Sequence, residues 1–174
     1  MLELISPTVA LRPSWLAARD EWDSGAQQPG SGLHPDDDVN SEAGFAAWVR
    51  RLTDAANPAI TPAEGRVHAD YWWIVEGQTY LGAITLRHGL NDFLLRAGGH
   101  IGYGLRPSAR GHRLAAWALC SILPRAQQLG LDRVLVTCDD ANPASARTIE
   151  KAGGVLEDVR DTELGLTRRY WITL

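Results

Sequence analysis

Cysteine is scarce in this 174-residue chain: Cys120 and Cys138 are the two present, each inside an apolar segment and not in a ligand-spaced pair. A disulfide framework and a Cys/His metal cluster are therefore not expected, and both thiols read as reduced core residues of a cytoplasmic protein. Long apolar runs are missing as well. None approaches the ~18 residues that mark a membrane span. The start, "MLELISPTVALRPSW", has no basic opening and no extended apolar stretch, so no secretory signal is expected. Positive charge is in deficit, with 17 Lys and Arg against 21 Asp and Glu, a net charge of −4. A general nucleic-acid binder would carry a basic stripe, so that class is disfavoured. Internal repeats are absent. One tract, "QQPGSGLHPDDDVNS" (27–41), is loop-like; it reads as a mobile surface loop between two N-terminal helices.

What remains is enough apolar residue for one ordinary core, and residues 1–174 read as a single domain. In "NSEAGFAAWVRRLTD", Asn40 or Ser41 offers a cap, and Phe45, Trp48, Val49 and Leu52 follow at helical spacing. "PSWLAARDEW" is a weaker helix. The period then changes. "YWWIVEGQTYLGAITLRH" reads as a hairpin about Gly77-Gln78, and "HIGYGL" as a third strand. "LAAWALCSILPRAQQLG" is a helix ending at Gly130, with Pro124 expected to kink or distort it. "DRVLVTC" is a continuous apolar strand, buried on both faces. Asn142 caps and Pro143 opens a last helix, which Gly153 ends, before two closing strands in "GVLEDV" and "RRYWITL". The class is α/β, a mixed sheet covered by helices.

The chemistry concentrates in "RPSARGHRLAA" (106–116). A strand precedes it, a helix follows it, and it carries Arg106, Arg110, His112 and Arg113. A helix N-terminus presents free backbone N–H groups and the positive end of its dipole; charge alone fits a solvated basic loop, and the strand-loop-helix context favours an anion site. Arginine forks suit phosphate oxygens, and more than one of them favours a pyrophosphate. It is not a P-loop, because no Gly-Lys-Ser/Thr is present.

This stretch resembles the acyl-CoA-binding motif of the GNAT N-acetyltransferases, Arg/Gln-x-x-Gly-x-Gly/Ala. Arg110 matches its first position and Ala115 its last, while Arg113 stands where the central Gly is expected. That departure is tolerable if φ there need not be positive. "VLVTCDDANPASARTIEKAGG" resembles the family's next strand and helix, and the likeness extends over nearly the whole chain, most closely to a bacterial subgroup of predicted acetyltransferases. The fold implied is the GNAT fold: a mostly antiparallel sheet flanked by helices, with one splayed parallel strand pair.

The resemblance implies acetyl-CoA as co-substrate and direct attack of a small-molecule amine in a ternary complex. Arg110, Gly111, His112, Arg113, Leu114 and Ala115 would hold the pyrophosphate. The Leu105 backbone would polarise the thioester carbonyl, and Asn142, with Ser145 nearby, would contact the pantetheine arm. His100 occupies the position of a general-base carboxylate in related enzymes and is a candidate base, with His88 behind it; local hydrogen bonding at a strand start is the competing reading. The Tyr that often protonates the leaving thiolate is replaced by Ile149, which leaves Ser145 as a candidate relay or Cys138 beside the sulfur. It also leaves open a CoA-binding protein that turns over slowly or not at all, or a phosphate site for another nucleotide. No metal, nucleic acid or membrane partner is expected. Dimers are common in the family, and nothing in the sequence fixes an interface.

Overall fold

The computed structural model describes residues 1–174. Strand β1 (Leu2–Ile5) leads, by way of a 3-10 turn, into helices α1 (Arg12–Arg19) and α2 (Glu42–Asp54). The hairpin β2 (Ala69–Glu76) and β3 (Thr79–Arg87) turns at Gly77-Gln78, where Gly77 takes a positive φ. Then come β4 (Ile101–Leu105), α3 (Leu114–Gln128), β5 (Arg133–Asp139), α4 (Pro143–Lys151), β6 (Val155–Thr162) and β7 (Gly165–Thr173). All seven strands form one sheet in the order β1-β2-β3-β4-β5-β7-β6. Every pairing is antiparallel except β4 with β5.

Each face of the sheet has its own core. On one side Trp15, Phe45, Trp48, Trp73 and Tyr80 pack α1 and α2 onto β2 and β3, with ring centroids 4.8–6.2 Å apart. On the other, Ile101, Leu119, Ile122, Val136, Ile149 and Tyr170 join α3 and α4 to β4, β5 and β7. The adjacent Trp72 and Trp73 divide between the faces as strand alternation requires: Trp73 is fully buried under the α1–α2 layer, and Trp72 packs at the margin of the α3–α4 core.

Three expectations change here: a first strand, the 27–41 tract, and Cys120, which is exposed on α3 and not a core thiol. β1, only four residues long, was not anticipated. Pro124 is accommodated within α3, which runs on to Gln128; Pro124 and Cys120 both sit on the exposed side, so the missing i−4 bond falls toward solvent. The 27–41 tract is not a loose loop. Gly30 (φ +79) lies against β4 so closely that a Cβ would stand 2.6 Å from Gly102 O and 2.8 Å from Ala83 O. Its carbonyl accepts from Thr85 Oγ1 at 2.6 Å. The "PDDDV" carboxylates are also engaged: Asp37 meets Arg51 at 2.5 Å, and Asp38 accepts from Ser41, the cap of α2.

Candidate active site

The register of β3 with β4 determines which way the backbone of β4 points. Arg87 N donates to His100 O (2.7 Å) and Arg106 N to Leu81 O (2.9 Å), and the pairs between them run without a bulge. Residues 100, 102, 104 and 106 therefore bond to β3, and the N–H and C=O groups of Ile101, Tyr103 and Leu105 point toward β5. Yet β5 is in register with β4 at one position only, Ile101↔Val136. Beyond that pair the strands part, and Tyr103 and Leu105 direct their backbone into a wedge-shaped gap with no β5 partner in register.

The gap opens toward the N-terminus of α3. No side chain caps this helix, and no acidic residue lies in its first turn, so its leading N–H groups and dipole face outward. Arg110, Gly111, His112 and Arg113 are exposed around it, with Leu114 and Ala115 beginning the helix. The Arg110 guanidinium lies 4.7 Å over the Trp22 ring, and its Nε donates to Leu105 O at 3.2 Å; these contacts hold it at the mouth of the gap. Arg106 is turned inward. It pairs with Glu21 at 2.5 Å and donates to Tyr80 O, and with Ser108 it holds the Glu21 carboxyl down at about 2.

Arg113 departs from expectation. It sits at φ 61, ψ 13, the one non-glycine residue of the chain with positive φ. The left-handed conformation that glycine would take without strain is kept here by an arginine.

On β5 and α4, Asn142 accepts from Ser145 N (3.1 Å) and caps α4. Ser145 Oγ lies 2.7 Å from Tyr103 Oη, so a hydrogen bond joins β4 to α4 across the gap. Cys138 belongs to the same wall, and burial raises its thiol pKa. Ile149 is fully buried in the core and presents no acid. Tyr103 drew no attention in the sequence. The available signal was period two: it shares a face with Ile101 and Leu105, and a tyrosine among apolar neighbours needs a partner for its hydroxyl.

His100 lies at the closed end. It is 5% exposed, its backbone N–H donates to Leu135 O (2.7 Å), and its Nδ1 accepts from Leu135 N at 2.9 Å. Burial and the charge of Arg87 push its pKa down to about 4. Neutral, with Nδ1 accepting, it carries its proton on Nε2 and has no lone pair left for a substrate. The structure thus favours the local hydrogen-bonding reading over the base. His88 is remote as well, bonded to Asp70 (3.0 Å), which also meets Arg125 near the far end of α3.

On the α1–α2 face, a depression of about 470 Å³ lies between the end of α1 and the 27–41 tract. Asp20, Trp22, Asp23, Gln28 and Leu33 are among its lining residues. It borders the site on two sides: Trp22 lies under Arg110, and Pro29, next to Gln28, lies over Gly104, where a Cβ would stand 2.7 Å from Pro29 O. Asp20 is paired with Arg19, while Asp23 has no ion-pair partner.

The Acetyltransferase (GNAT) domain model matches residues 15–155. The chain belongs to the GNAT acetyltransferase family. With membership come N-acetyltransferase activity and acetyl-CoA as co-substrate. Solved structures share the GNAT fold. RimL, a ribosomal L7/L12 α-N-protein acetyltransferase in complex with coenzyme A, is 17% identical with a TM-score of 0.71, over 99% of this chain and 94% of that one. The microcin C7 self-immunity acetyltransferase MccE, in complex with acetyl-CoA and AMP, is 15% identical with a TM-score of 0.69, over 99% and 92%. A chimera of the spermidine N-acetyltransferase SpeG from Vibrio cholerae and hSSAT is 14% identical with a TM-score of 0.62, over 99% and 95%. No curated protein sequence matches the chain. No helix of this GNAT chain is long and apolar enough to cross a membrane.

Proposed function

We propose that the chain is a cytoplasmic enzyme that transfers an acetyl group from acetyl-CoA to an amine of a small molecule by direct attack. The observation that carries this reading is the gap between β4 and β5, which ends at an uncapped, basic helix N-terminus. The residues suit the co-substrate. A pyrophosphate is matched by the first N–H groups of α3 with Arg110, His112 and Arg113. The pantetheine amides find the β5-facing backbone of β4 and the Asn142 amide nitrogen, since that side chain's oxygen already caps α4. The Leu105 N–H belongs to the β5-facing set, which supports its role as donor to the thioester carbonyl, where an aligned donor acts most strongly as charge develops.

The acceptor enters, in this reading, through the depression on the α1–α2 face. Its unpaired Asp23 favours a cationic amine. RimL is described as acting on a protein N-terminus and SpeG on spermidine, so protein and polyamine acceptors belong in any screen. Ser145 lines the gap and is the candidate relay, and no residue here is assigned as base. The buried Ile149 favours one second reading, a CoA-binding protein with little turnover.

Thermal melts with acetyl-CoA, CoA, ATP and NAD test the site. A ligand bound only by the folded state adds about 2.7 kcal/mol at a hundredfold excess over its dissociation constant. Acetyl-CoA and CoA are expected to raise the melting temperature and ATP and NAD to leave it unchanged. Stabilisation by ATP or NAD alone would overturn the assignment.

A further inference from the structure

The Tyr103 ring packs against the α3–α4 core, and the hydrogen bond between its hydroxyl and Ser145 spans the gap where the acyl donor is proposed to lie. We propose that Tyr103 is a positioning residue for the leaving group: it donates to Ser145 Oγ and so turns the Ser145 O–H toward the sulfur of CoA. This rests on the acyl-CoA reading above.

The acidity of the two hydroxyls gives the direction of the bond. The two oxygens are 2.7 Å apart, and either atom could donate; the Ser145 carbonyl, at 3.4 Å, is the more distant acceptor for the Tyr103 O–H. A phenol is the stronger donor of the two, and burial keeps Tyr103 protonated by pushing it up to about 12. With Tyr103 donating, the serine keeps its own proton for another acceptor. Serines and threonines within helices often return that proton to the carbonyl one turn back. Thr148 does so, to Ala144 O at 2.9 Å. Ser145 Oγ makes no such bond, and its backbone N–H is taken by the Asn142 cap. A serine O–H facing the gap, anchored by a tyrosine from the opposite strand, stands where Ile149 supplies nothing.

The amine nitrogen bonds to the acetyl carbon and gives up its proton to solvent; as the acetyl–sulfur bond breaks, its electron pair goes to sulfur. Ser145 then donates a hydrogen bond to the thiolate, and Tyr103 fixes the donor's direction. No proton leaves Tyr103, and the sulfur is protonated later from solvent.

The test reads the thiol of bound CoA and needs no acceptor. Thiolate absorbance in the ultraviolet is titrated in the CoA complex and corrected with the desulfo-CoA complex, which removes the protein's own cysteines and tyrosines. A hydrogen bond to a charged group is strong enough to lower the bound thiol's pKa by about one relative to free CoA. Tyr103→Phe and Ser145→Ala should each return it toward the free value, and the double variant should do no more than Ser145→Ala. Asp139, Asp140 and Arg168, the charged groups acting on this wall, are common to all four proteins. Equal pKa values across the series, with CoA binding retained in melts, would overturn the proposal and leave the acyl-CoA reading intact. A shift in Ser145→Ala without one in Tyr103→Phe would overturn the role of Tyr103. Failure of the wild-type protein to bind CoA would remove both. Should Tyr103→Phe not fold, Ser145→Cys, which keeps a weaker donor at the same place, is expected to give an intermediate value, and a wild-type value would contradict the serine donor.

Discussion

At His100, Nδ1 already accepts from the Leu135 N–H, and the ring is buried beside Arg87. From sequence it was a fair candidate base, because a histidine before an apolar strand can face either way. What settled its place was a contact with β5, 35 residues away, and no local pattern contains that. The unfolded chain takes up this proton near pH 6.5 and the folded chain only near pH 4. The stability from keeping His100 neutral is therefore complete above about pH 6.5 and is lost as pH falls toward 4. It amounts to about 3 kcal/mol over that window. His100→Gln retains an acceptor for Leu135 N–H and cannot titrate. Urea unfolding at pH 7 and pH 4.5 should show a smaller loss of stability in the variant. An equal loss in both proteins would assign the acid sensitivity elsewhere.

Among the elements, those with strong local signals were legible: the β2–β3 hairpin, the helix caps at Ser41 and Asn142, the Gly130 stop and the strand-loop-helix unit at 106–116. β1 was too short to show a period. The 27–41 tract has the composition of a loop, and its attachment rests on Gly30 fitting against β4, a long-range contact with no sequence signature. The splay of β4 from β5 was expected only through family likeness, since two apolar strands carry no mark of where they part. The turn before α3 was misjudged at one residue, where Arg113 does take positive φ. Left-handed backbone costs a non-glycine residue about 1 kcal/mol, so Arg113→Gly should raise the melting temperature by roughly 2–4 °C. It also removes a cation from the proposed pyrophosphate site. For an exposed pair that is worth up to about 1 kcal/mol, a several-fold weaker affinity for CoA. Calorimetric titration beside a melt checks both signs; a variant that gains stability and binds CoA as tightly as before would remove Arg113 from the site.

Over the whole molecule, an acidic chain gathers exposed Arg110, His112 and Arg113 at one helix end, where the sheet opens. One face of the sheet positions the proposed donor site through α3 and α4. The other carries the depression proposed for the acceptor, between the end of α1 and the 27–41 tract. Trp22, under Arg110, and Pro29, over Gly104, stand between the two. The same acidic background that disfavours nucleic acid suits a cationic amine. The central claim, amine acetylation, is tested most directly by CoA thiol release from acetyl-CoA across a panel of amines: spermidine and other small polyamines, simple primary amines, and a peptide with a free N-terminal serine. The account predicts release that depends on a cationic small amine and saturates with it, with the peptide a poorer acceptor. Tight binding of CoA with no amine-dependent release above the rate in buffer, across the whole panel, would contradict it and favour a CoA-binding protein without turnover.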